Sequence, residues 1–466
     1  MDLFGTAGIR GRAEDEVTPE LALHVGQAVG KPGREVVVAR DGRVTGSTLL
    51  SALRAGLESA GSTVSDIGIA PTPALAFASR GRYGVQVTAS HNPPEDNGIK
   101  LFKDGTEFDR NAELEVSDRI AGGTEPAPWN EWGENEEEEI LGEYRDAIGE
   151  FLAGRSLTAD HPVGPGTALD SEEPLEGVSI AVDCGNGMAS LGTPQVLNAL
   201  GANVVSINGT VDGFFPGRPS KPTPETLTEF RSFVADHRSQ FGIAHDGDAD
   251  RVVLVDGDGE VVHEDTVVAI LAEYYVRTTD VADPVVVTTP NASGRIDQRV
   301  EAAGGEVDRV RLGALHEGIE AVESSAGTVV FAAEPWKHIH PELGLWIDGI
   351  ASAGLLSLLV ASAGSLDALR EPINERPYRK VSVECEEDRK EPVMADLADR
   401  LPDSFPEASA STEYGVRLSF DDGSWALVRP SGTEPYVRLY AESDAVDELV
   451  AAVRSDIEAA IDSIGA

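Results

Sequence analysis

A serine and a histidine lie together in a turn between two apolar stretches of this chain. Ser90 and His91 follow the apolar run 85–87, and a second apolar run, 99–102, comes after a turn rich in Asn, Pro and Gly. Both runs are typical of buried strands, so the hydroxyl is presented on a rigid loop at the end of a strand. Catalytic residues of α/β proteins are commonly placed there, which makes Ser90 a candidate nucleophile.

Ser90 also has plainer interpretations. It could be an ordinary turn residue, or it could pair with His91 as in a hydrolase. Consecutive residues of an extended segment point to opposite sides, so we expect His91 to be poorly placed as the base for Ser90. No Gly-x-Ser-x-Gly elbow occurs in the sequence. His91 remains among the candidate catalytic residues because it adjoins Ser90.

Three aspartates at alternate positions form a second candidate site. Asp246, Asp248 and Asp250 follow a strand-like apolar run, and Arg251 comes directly after them. Carboxylates with this spacing on a tight loop can converge on one hard divalent cation. A solvated acidic turn is the plain alternative. A calcium EF-hand is excluded, because its sixth residue would be Arg251 instead of glycine and its twelfth would be Gly257 instead of glutamate.

A third segment, 429–435, reads Arg-Pro-Ser-Gly-Thr-Glu-Pro. One guanidinium, two hydroxyls and the amide of a glycine turn together form a nest for an anion. We therefore expect the segment to bind an anionic group. The candidate ligands are Arg429, Ser431, Gly432, Thr433 and Arg438.

Taken in order, these segments resemble those of the α-D-phosphohexomutases. Residues 88–100, Thr-Ala-Ser-His-Asn-Pro-Pro-Glu-Asp-Asn-Gly-Ile-Lys, resemble the active-site loop of that family. Asp-Gly-Asp-Ala-Asp-Arg at 246–251 resembles its metal loop, and 429–435 resembles its phosphate-binding loop. Phe-Gly-Thr-Ala-Gly-Ile-Arg-Gly at 4–11 resembles its opening motif. The resemblance covers essentially the whole chain.

Residues 333–338 occupy the place of the family's sugar-recognition loop, which commonly reads Gly-Glu-x-Ser-Gly-His. Glu334 and His338 match, whereas Ala333, Trp336 and Lys337 replace the usual Gly, Ser and Gly. A carboxylate at Glu334 could accept hydrogen bonds from two sugar hydroxyls. Trp336 could stack on a sugar ring or serve only in packing. The sequence therefore leaves the sugar open between the substrates of a phosphomannomutase/phosphoglucomutase and those of a phosphoglucosamine mutase.

The resemblance implies a mutase that interconverts hexose 1-phosphate and hexose 6-phosphate through a 1,6-bisphosphate, which also serves as activator. Ser90 would be a phosphoserine, and one Mg²⁺ would be bound by its phosphate and by the three aspartates of the metal loop. Arg10 and Arg251 would add positive charge at the transferred group. Lys100 and His338 would exchange protons with the sugar hydroxyls.

Other classes of function fit less well. A metal-dependent sugar-phosphate phosphatase could use the same aspartates and anion nest, with water as the phosphoryl acceptor. A sugar-phosphate binding protein without activity would need neither Ser90 nor three metal-binding carboxylates. A structural acidic protein would not carry these loops at strand ends. The products formed from a hexose 1-phosphate distinguish the mutase from the phosphatase.

Composition limits the partners of the protein. The 466 residues include 81 acidic and 37 basic side chains, a formal net charge of −44. This charge repels nucleic acids and anionic membranes, and its spread along the chain indicates a halophilic source. Cys184 and Cys385 are the two cysteines, so no disulfide framework is expected. No signal-like or membrane-spanning stretch is evident, so we expect a cytoplasmic protein. Its oligomeric state is not predicted.

Alternating strand-like and helix-like runs predict an α/β fold of several domains. We expect three similar α/β/α domains with mixed sheets, followed by a small C-terminal α+β domain, around a central cleft. The predicted boundaries place the phosphoserine loop in residues 1–155, the metal loop in 156–260, the sugar loop in 261–370 and the phosphate loop in 371–466.

Overall fold

The structure, a computed structural model, describes residues 3–5, 8–158, 160–163, 173–237, 239–431 and 435–465. The chain divides into two compact units. The first comprises Met1–Val267 and Val330–Pro372, and the second comprises Val268–Val329 and Ile373–Ala466.

A seven-stranded mixed sheet opens the first unit. Its strands are β1 (Ile9–Arg12), β2 (Glu35–Arg40), β3 (Thr63–Ile69), β4 (Tyr83–Val87), β5 (Asp96–Lys103), β6 (Thr106–Glu107) and β7 (Asn135–Glu137). They lie in the order β1-β5-β4-β2-β3-β7, with β6 paired to β5. β2 is parallel to β3 and β4, whereas β5 is antiparallel to β1, β4 and β6. The associated helices are α1 (Pro19–Val29), α2 (Gly46–Ser59), α3 (Thr72–Ala78), α4 (Arg110–Gly122) and α5 (Leu141–Leu152).

Local sequence explains how α1 begins and how closely it packs on α2. Thr18 caps the helix by accepting a hydrogen bond from the Leu21 amide, and Pro19 occupies the first turn, where its missing N–H costs nothing. A Cβ atom on Gly26 would lie 2.2 Å from the carbonyl oxygen of Leu53 on α2. Glycine therefore permits the close approach of these two helices.

A second sheet of four strands follows in the same unit. Its strands are β8 (Ser179–Asp183), β9 (Asn203–Ile207), β10 (Phe241–His245) and β11 (Val252–Asp256), in the order β11-β10-β8-β9. β10 is parallel to β8 and antiparallel to β11. The connections contain a 3₁₀ helix (Met188–Leu191), α6 (Thr193–Ala199) and α7 (Thr228–Asp236). Every residue of β10 and β11 is buried, so the turn between them has rigid ends.

The next elements are shared between the two units. Helix α8 (Glu264–Thr278) is followed in the second unit by β12 (Pro284–Thr288), α9 (Gly294–Ala303), β13 (Glu306–Arg309) and α10 (Leu315–Ser324). β12 and β13 are parallel. β14 (Thr328–Glu334) and β15 (Lys337–Ile339) then form an antiparallel hairpin, and α11 (Gly349–Ala363) and α12 (Leu366–Arg370) follow in the first unit.

The end of the chain forms an antiparallel sheet with two long helices. Its strands are β16 (Tyr378–Glu384), β17 (Ser409–Ser411), β18 (Val416–Ser419), β19 (Trp425–Pro430) and β20 (Tyr436–Glu442), in the order β16-β20-β19-β18-β17. A 3₁₀ helix (Glu387–Arg389) leads into α13 (Lys390–Ser404), and α14 (Val446–Gly465) closes the chain. Both long helices share one hydrophobic cluster with the sheet.

These sheets confirm the expected α/β fold class, with mixed sheets followed by a C-terminal α+β region. The domain boundaries drawn from the sequence stay predictions, and residues 164–172, which follow the first of these boundaries, lie outside the described residues. In the described parts of the chain, no helix is both long enough and apolar enough to cross a membrane.

Candidate active site

Ser90 lies in the loop between β4 and β5 with its backbone in the left-handed region, at φ 51°. The side chain is buried, and its Oγ donates to Asp246 Oδ2 at 2.8 Å. The Ser90 amide donates to Thr88 Oγ1 at 2.9 Å. Positive φ at a residue other than glycine costs free energy, and such positions cluster at functional sites. The loop thus holds the Ser90 hydroxyl against the first aspartate of the metal loop.

The side chains of Ser90 and His91 contact each other, which the sequence argument did not anticipate. Ser90 Oγ lies 3.4 Å from His91 Nδ1. The expectation that the two point apart assumed extended backbone, and the positive φ of Ser90 breaks that geometry. Burial, then the charges of Arg251 and Arg10, lower the pKa of His91 to about 2. The imidazole is therefore neutral and weakly basic beside the hydroxyl.

A buried arginine that sequence reasoning missed fixes the shape of the Ser90 loop. The Arg43 guanidinium donates to four backbone carbonyls of that loop, those of Ser90, Asn92, Pro93 and Asp96. Its Nε donates to Asp41 Oδ2 at 3.0 Å, and the same oxygen accepts from Thr88 Oγ1 at 2.7 Å. The only signal for this network in the sequence is Asp-Gly-Arg directly after the strand β2.

The three aspartates of the metal loop converge as their spacing predicted. Asp246, Asp248 and Asp250 are all buried, and one ligand oxygen from each lies within 4.8 Å of the others. A Cβ atom on Gly247, between them, would lie 2.5 Å from the carbonyl oxygen of Ser90. The glycine therefore allows the metal loop to pack directly on the serine loop.

Asp248 and Asp250 each accept hydrogen bonds through one carboxylate oxygen and through the other accept none from the described residues. Thr72 Oγ1 donates to Asp248 Oδ2 at 2.6 Å, and Lys100 Nζ donates to the same oxygen at 3.0 Å and to Asp250 Oδ2 at 2.9 Å. The Oδ1 atoms of Asp248 and Asp250 are buried and make no hydrogen bond to any described residue. Clustered carboxylate oxygens with spare lone pairs fit a hard divalent cation such as Mg²⁺.

The surroundings disfavour the charged form of Asp246 but favour the charged forms of Asp250 and Lys100. Burial, with the neighbouring charges of Asp250 and Asp248, raises the pKa of Asp246 well above its usual value. Burial also opposes ionisation of Asp250, but Lys100 and two further cations outweigh it and hold its pKa well below the usual value. For Lys100, burial lowers the pKa, yet the two aspartates raise it above normal, so Lys100 is an ammonium at neutral pH.

Two arginines add positive charge close to the Ser90 loop, and the charges of both act on His91. Arg251 Nε lies 3.6 Å from Asp246 Oδ2 and 3.8 Å from Asp250 Oδ1. Arg10 is on β1, paired with Gly98 of β5. The Nε and Nη2 atoms of Arg10 are buried and have no hydrogen-bond partner among the residues that the structure describes. A buried guanidinium with unused donors suits an anionic ligand.

The predicted sugar loop forms the tight turn of the β14–β15 hairpin. Glu334 pairs with Lys337 across the hairpin, and Trp336 has a φ of 67°. The Trp336 carbonyl accepts from the Val252 amide at 3.1 Å, which fixes the turn to the start of β11. The indole packs on the hydrophobic cluster of the second sheet. The structure thus accounts for Trp336 in packing, and its stacking on a sugar stays a prediction.

Lys337 and His338 lie on opposite faces of β15. Lys337 Nζ lies 4.0 Å from Asp250 Oδ2, on the side of the metal loop. His338 contacts the Phe331 ring and, through Nδ1, Ser352 Oγ of α11 at 3.0 Å. Burial lowers the pKa of His338 to about 3, so the ring is neutral at pH 7. That His338 carries a proton in catalysis stays a prediction.

In the second unit, two arginines that the sequence predicts to bind the anion lie on neighbouring strands. Arg429 on β19 pairs with Arg438 on β20. Arg429 Nη2 donates to Tyr440 Oη at 3.0 Å, and the Ser431 amide donates to the Tyr436 carbonyl at 2.9 Å. Like charges directly opposite on a sheet are destabilising unless an anion compensates them. The other two predicted ligands, Gly432 and Thr433, lie outside the described residues.

Comparison with known proteins identifies the family. Residues 1–127, 166–259 and 381–460 match the family models of phosphoglucomutase/phosphomannomutase α/β/α domain I, α/β/α domain II and C-terminal domain. A phosphopentomutase of Thermococcus kodakarensis is 40% identical over 451 residues, which are 95% of this chain and 94% of that protein. A probable phosphoglucosamine mutase of Methanopyrus kandleri is 37% identical over 473 residues, 98% of each chain.

A solved structure shares the fold. The crystal structure of a phosphoglucomutase/phosphomannomutase family protein from Burkholderia thailandensis superposes with a TM-score of 0.82 at 24% identity, covering 99% of this chain and 97% of that one. With relatives of 37–40% identity along nearly its whole length, and with the serine and aspartate loops brought together as described, the chain belongs to the α-D-phosphohexomutase family of intramolecular phosphotransferases.

Proposed function

We propose that this enzyme interconverts hexose 1-phosphate and hexose 6-phosphate by way of a phosphoserine at Ser90 and a hexose 1,6-bisphosphate. The observation that carries the proposal is the 2.8 Å hydrogen bond from Ser90 Oγ to Asp246, beside two more buried aspartates. A serine hydroxyl held against a cluster of metal-binding carboxylates suits phosphoryl transfer and not acyl transfer.

The transfer takes place in two half-reactions. In the first, the bond between phosphorus and Ser90 Oγ breaks, a bond from phosphorus to the free sugar hydroxyl forms, and the proton of that hydroxyl passes to solvent water. In the second, the other phosphoryl group of the bisphosphate returns to Ser90 Oγ, and the sugar oxygen that it leaves takes up a proton. Lys100, held as an ammonium, is suited to give that proton.

Cationic side chains stabilise the negative charge on the phosphoryl group while it is transferred. Arg251 lies beside Asp246 and Asp250, Arg10 lies close enough to His91 for its charge to act there, and both carry buried donor atoms. Positive groups aimed at the oxygens of a transferring phosphoryl group supply most of the catalysis in this chemistry. Asp246, Asp248 and Asp250 would hold one Mg²⁺ together with a phosphate oxygen on Ser90. When bound, the ion offsets negative charge on the transferred group.

The names of the relatives point to two classes of sugar phosphate. One relative is named a phosphopentomutase and another a probable phosphoglucosamine mutase. A pentose phosphate is therefore a second candidate substrate, favoured by the higher identity to the first of these relatives. The replacements at Ala333, Trp336 and Lys337 remove the residues by which the sugar is usually told apart.

The test uses ³¹P NMR to detect two possible products, the isomerised sugar phosphate and inorganic phosphate. The enzyme is supplied with Mg²⁺, a trace of hexose 1,6-bisphosphate and, in separate reactions, the 1-phosphates of glucose, mannose, glucosamine, N-acetylglucosamine and ribose. We expect one of the hexose 1-phosphates to become its 6-phosphate, and the Ser90→Ala variant to be inactive. Release of inorganic phosphate in place of an isomer would identify a phosphatase and overturn the proposal.

The covalent intermediate is tested separately. Intact-mass measurement and peptide mapping of active enzyme should find one phosphoryl group, located on Ser90. If active preparations never carry it, even after incubation with the bisphosphate, the proposed mechanism is wrong.

The halophilic source and the cytoplasmic location inferred from the sequence remain predictions.

A further inference from the structure

Lys337 stands where the sugar loop of the family commonly has a glycine, and it brings an additional ammonium group to the metal loop. The side chain is only 10% exposed, and its Nζ lies 4.0 Å from Asp250 Oδ2. That oxygen already accepts a hydrogen bond from Lys100 at 2.9 Å. Lys337 is therefore not needed as the direct partner of Asp250.

The position of Lys337 is fixed by the backbone around it. It forms an isolated β-bridge with Arg251, the residue that follows the last aspartate of the metal loop. The neighbouring carbonyl of Trp336 accepts a hydrogen bond from the Val252 amide. Because side chains alternate along a strand, Lys337 faces Asp250 while His338 faces α11. The ammonium is thus built into the cluster and not carried on a mobile loop.

The hydrogen-bonding capacity of Lys337 is unused. A lysine ammonium has three donors. Within the described residues, Lys337 makes no hydrogen bond, and Asp250 is its one carboxylate neighbour within 4.0 Å. Glu334, which is directly opposite across the hairpin, forms no ion pair with it. The ammonium of this largely buried side chain therefore has donors that the protein does not use, and an anionic ligand at the site can accept from them.

The surroundings select the kind of anion. Arg251 lies beside Asp246 and Asp250, and Arg10, Arg251 and Lys337 are all close enough to His91, next to Ser90, for their charges to act on it. Arg10 and Arg251 each have a buried guanidinium nitrogen that makes no hydrogen bond to described residues. Several separate donors around one point match the oxygens of a tetrahedral phosphoryl group better than they match a neutral sugar hydroxyl. We propose that Lys337 binds a non-bridging oxygen of the phosphoryl group that passes between Ser90 and the substrate. This inference rests on the proposed function.

The first test measures turnover in Lys337→Met, Lys337→Arg and, as the matched control, Lys103→Met. Lys103 is an exposed lysine at the end of β5, the strand that carries Lys100. At saturating Mg²⁺ we expect Lys337→Met to lose roughly 10- to 100-fold in kcat/KM, the effect of one charge-assisted hydrogen bond. Lys337→Arg should recover part of the loss, and Lys103→Met should match the wild type.

The comparison at saturating Mg²⁺ shows whether Lys337 binds the phosphoryl group or serves only as a counter-ion of the aspartates. Removing a cation 4.0 Å from Asp250 should tighten Mg²⁺ binding in any case. If Lys337 were only a counter-ion of the aspartates, turnover of Lys337→Met would return to the wild-type value once Mg²⁺ saturates. That result would overturn the inference.

A binding measurement tests Lys337 without turnover. Calorimetric titration of inorganic phosphate into dephosphorylated enzyme would use an Arg429→Ala background, so that the anion reports on the residues around Ser90. We expect Lys337→Met to weaken phosphate binding about tenfold, and equal affinity would contradict the inference. If the wild type isomerises no phosphosugar, the proposed function fails, and the phosphate titration still decides whether Lys337 binds a phosphoryl group.

Discussion

The Arg43 guanidinium donates to the carbonyl oxygen of Ser90 at 2.9 Å, although the two residues are 47 positions apart in the sequence. This contact is one of four by which a buried cation holds the backbone of the Ser90 loop. The position of Ser90 thus depends on an ion pair, Arg43 with Asp41, that touches neither the metal loop nor any reacting atom of the proposed mechanism.

Replacing Arg43 should affect stability and turnover through different contacts. Arg43→Met leaves the buried Asp41 without its cation, so we expect the free energy of unfolding to fall by about 3–5 kcal/mol. Adding Asp41→Asn removes the unpaired charge and should restore much of that loss. Turnover should stay low in the double variant, because the loop carbonyls still lack their donor. Urea unfolding and steady-state kinetics measure the two effects, and full turnover in the double variant would contradict the positioning role.

Regular elements with strong sequence patterns were predictable. Strand β2 (Glu35–Arg40) has a continuous apolar centre at residues 36–39, and α2 (Gly46–Ser59) has leucines at positions 49, 53 and 57, which is helical spacing. In each segment the positions of the apolar residues and the local conformational preference favour the same structure. The aspartate spacing of the metal loop was informative for a similar reason, since it is a local pattern on one loop.

Contacts between distant segments were not predictable from one sequence. Thr72 bonds Asp248 across 176 positions, and no local pattern marks Thr72 as different from other threonines near a proline. The Ser90–His91 contact was missed because extended geometry was assumed where the backbone is left-handed. The opposite orientation of Lys337 and His338 could have been read from strand alternation, but their segment was interpreted as a loop and not as a strand.

The metal loop can be tested at its central aspartate. Asp248→Asn keeps the size of the side chain but removes one of three anionic ligands and half of the ion pairing of Lys100. We expect Mg²⁺ affinity and turnover to fall together, since carboxylate charge determines affinity for hard cations. Calorimetric Mg²⁺ titration and kinetics at increasing Mg²⁺ measure both. Asp146→Asn, at an exposed position of α5, is the control. Unchanged Mg²⁺ dependence would reduce the three aspartates to an acidic turn.

The buried His338 predicts how stability depends on pH. Its pKa is about 3 in the folded protein and near 6.5 when unfolded, so between these values the unfolded state binds more protons. Stability should therefore be complete above pH 6.5 and decrease as the pH falls, by about 2 kcal/mol at pH 5 for this group. Urea unfolding at pH 7 and pH 5, in constant high salt, should show a smaller decrease for His338→Gln than for the wild type. Equal decreases would show that His338 is not the group responsible.

The last prediction concerns the phosphate that does not react. In the proposed mechanism either end of a sugar bisphosphate has to meet Ser90. The substrate would then bind in two opposite orientations, and the remote phosphate would need one anchor that serves both. The family resemblance assigns that anchor to the loop of Arg429, whose guanidinium is already oriented by Tyr440 Oη at 3.0 Å. Arg429→Ala should weaken binding of the 1-phosphate and the 6-phosphate alike, by roughly 1.5–3 kcal/mol for one charge-assisted hydrogen bond. Mg²⁺ affinity and phosphorylation of Ser90 should stay close to the wild type, because Arg429 has no part in either. KM values measured in both directions test this, and a loss confined to one direction would rule out a shared anchor.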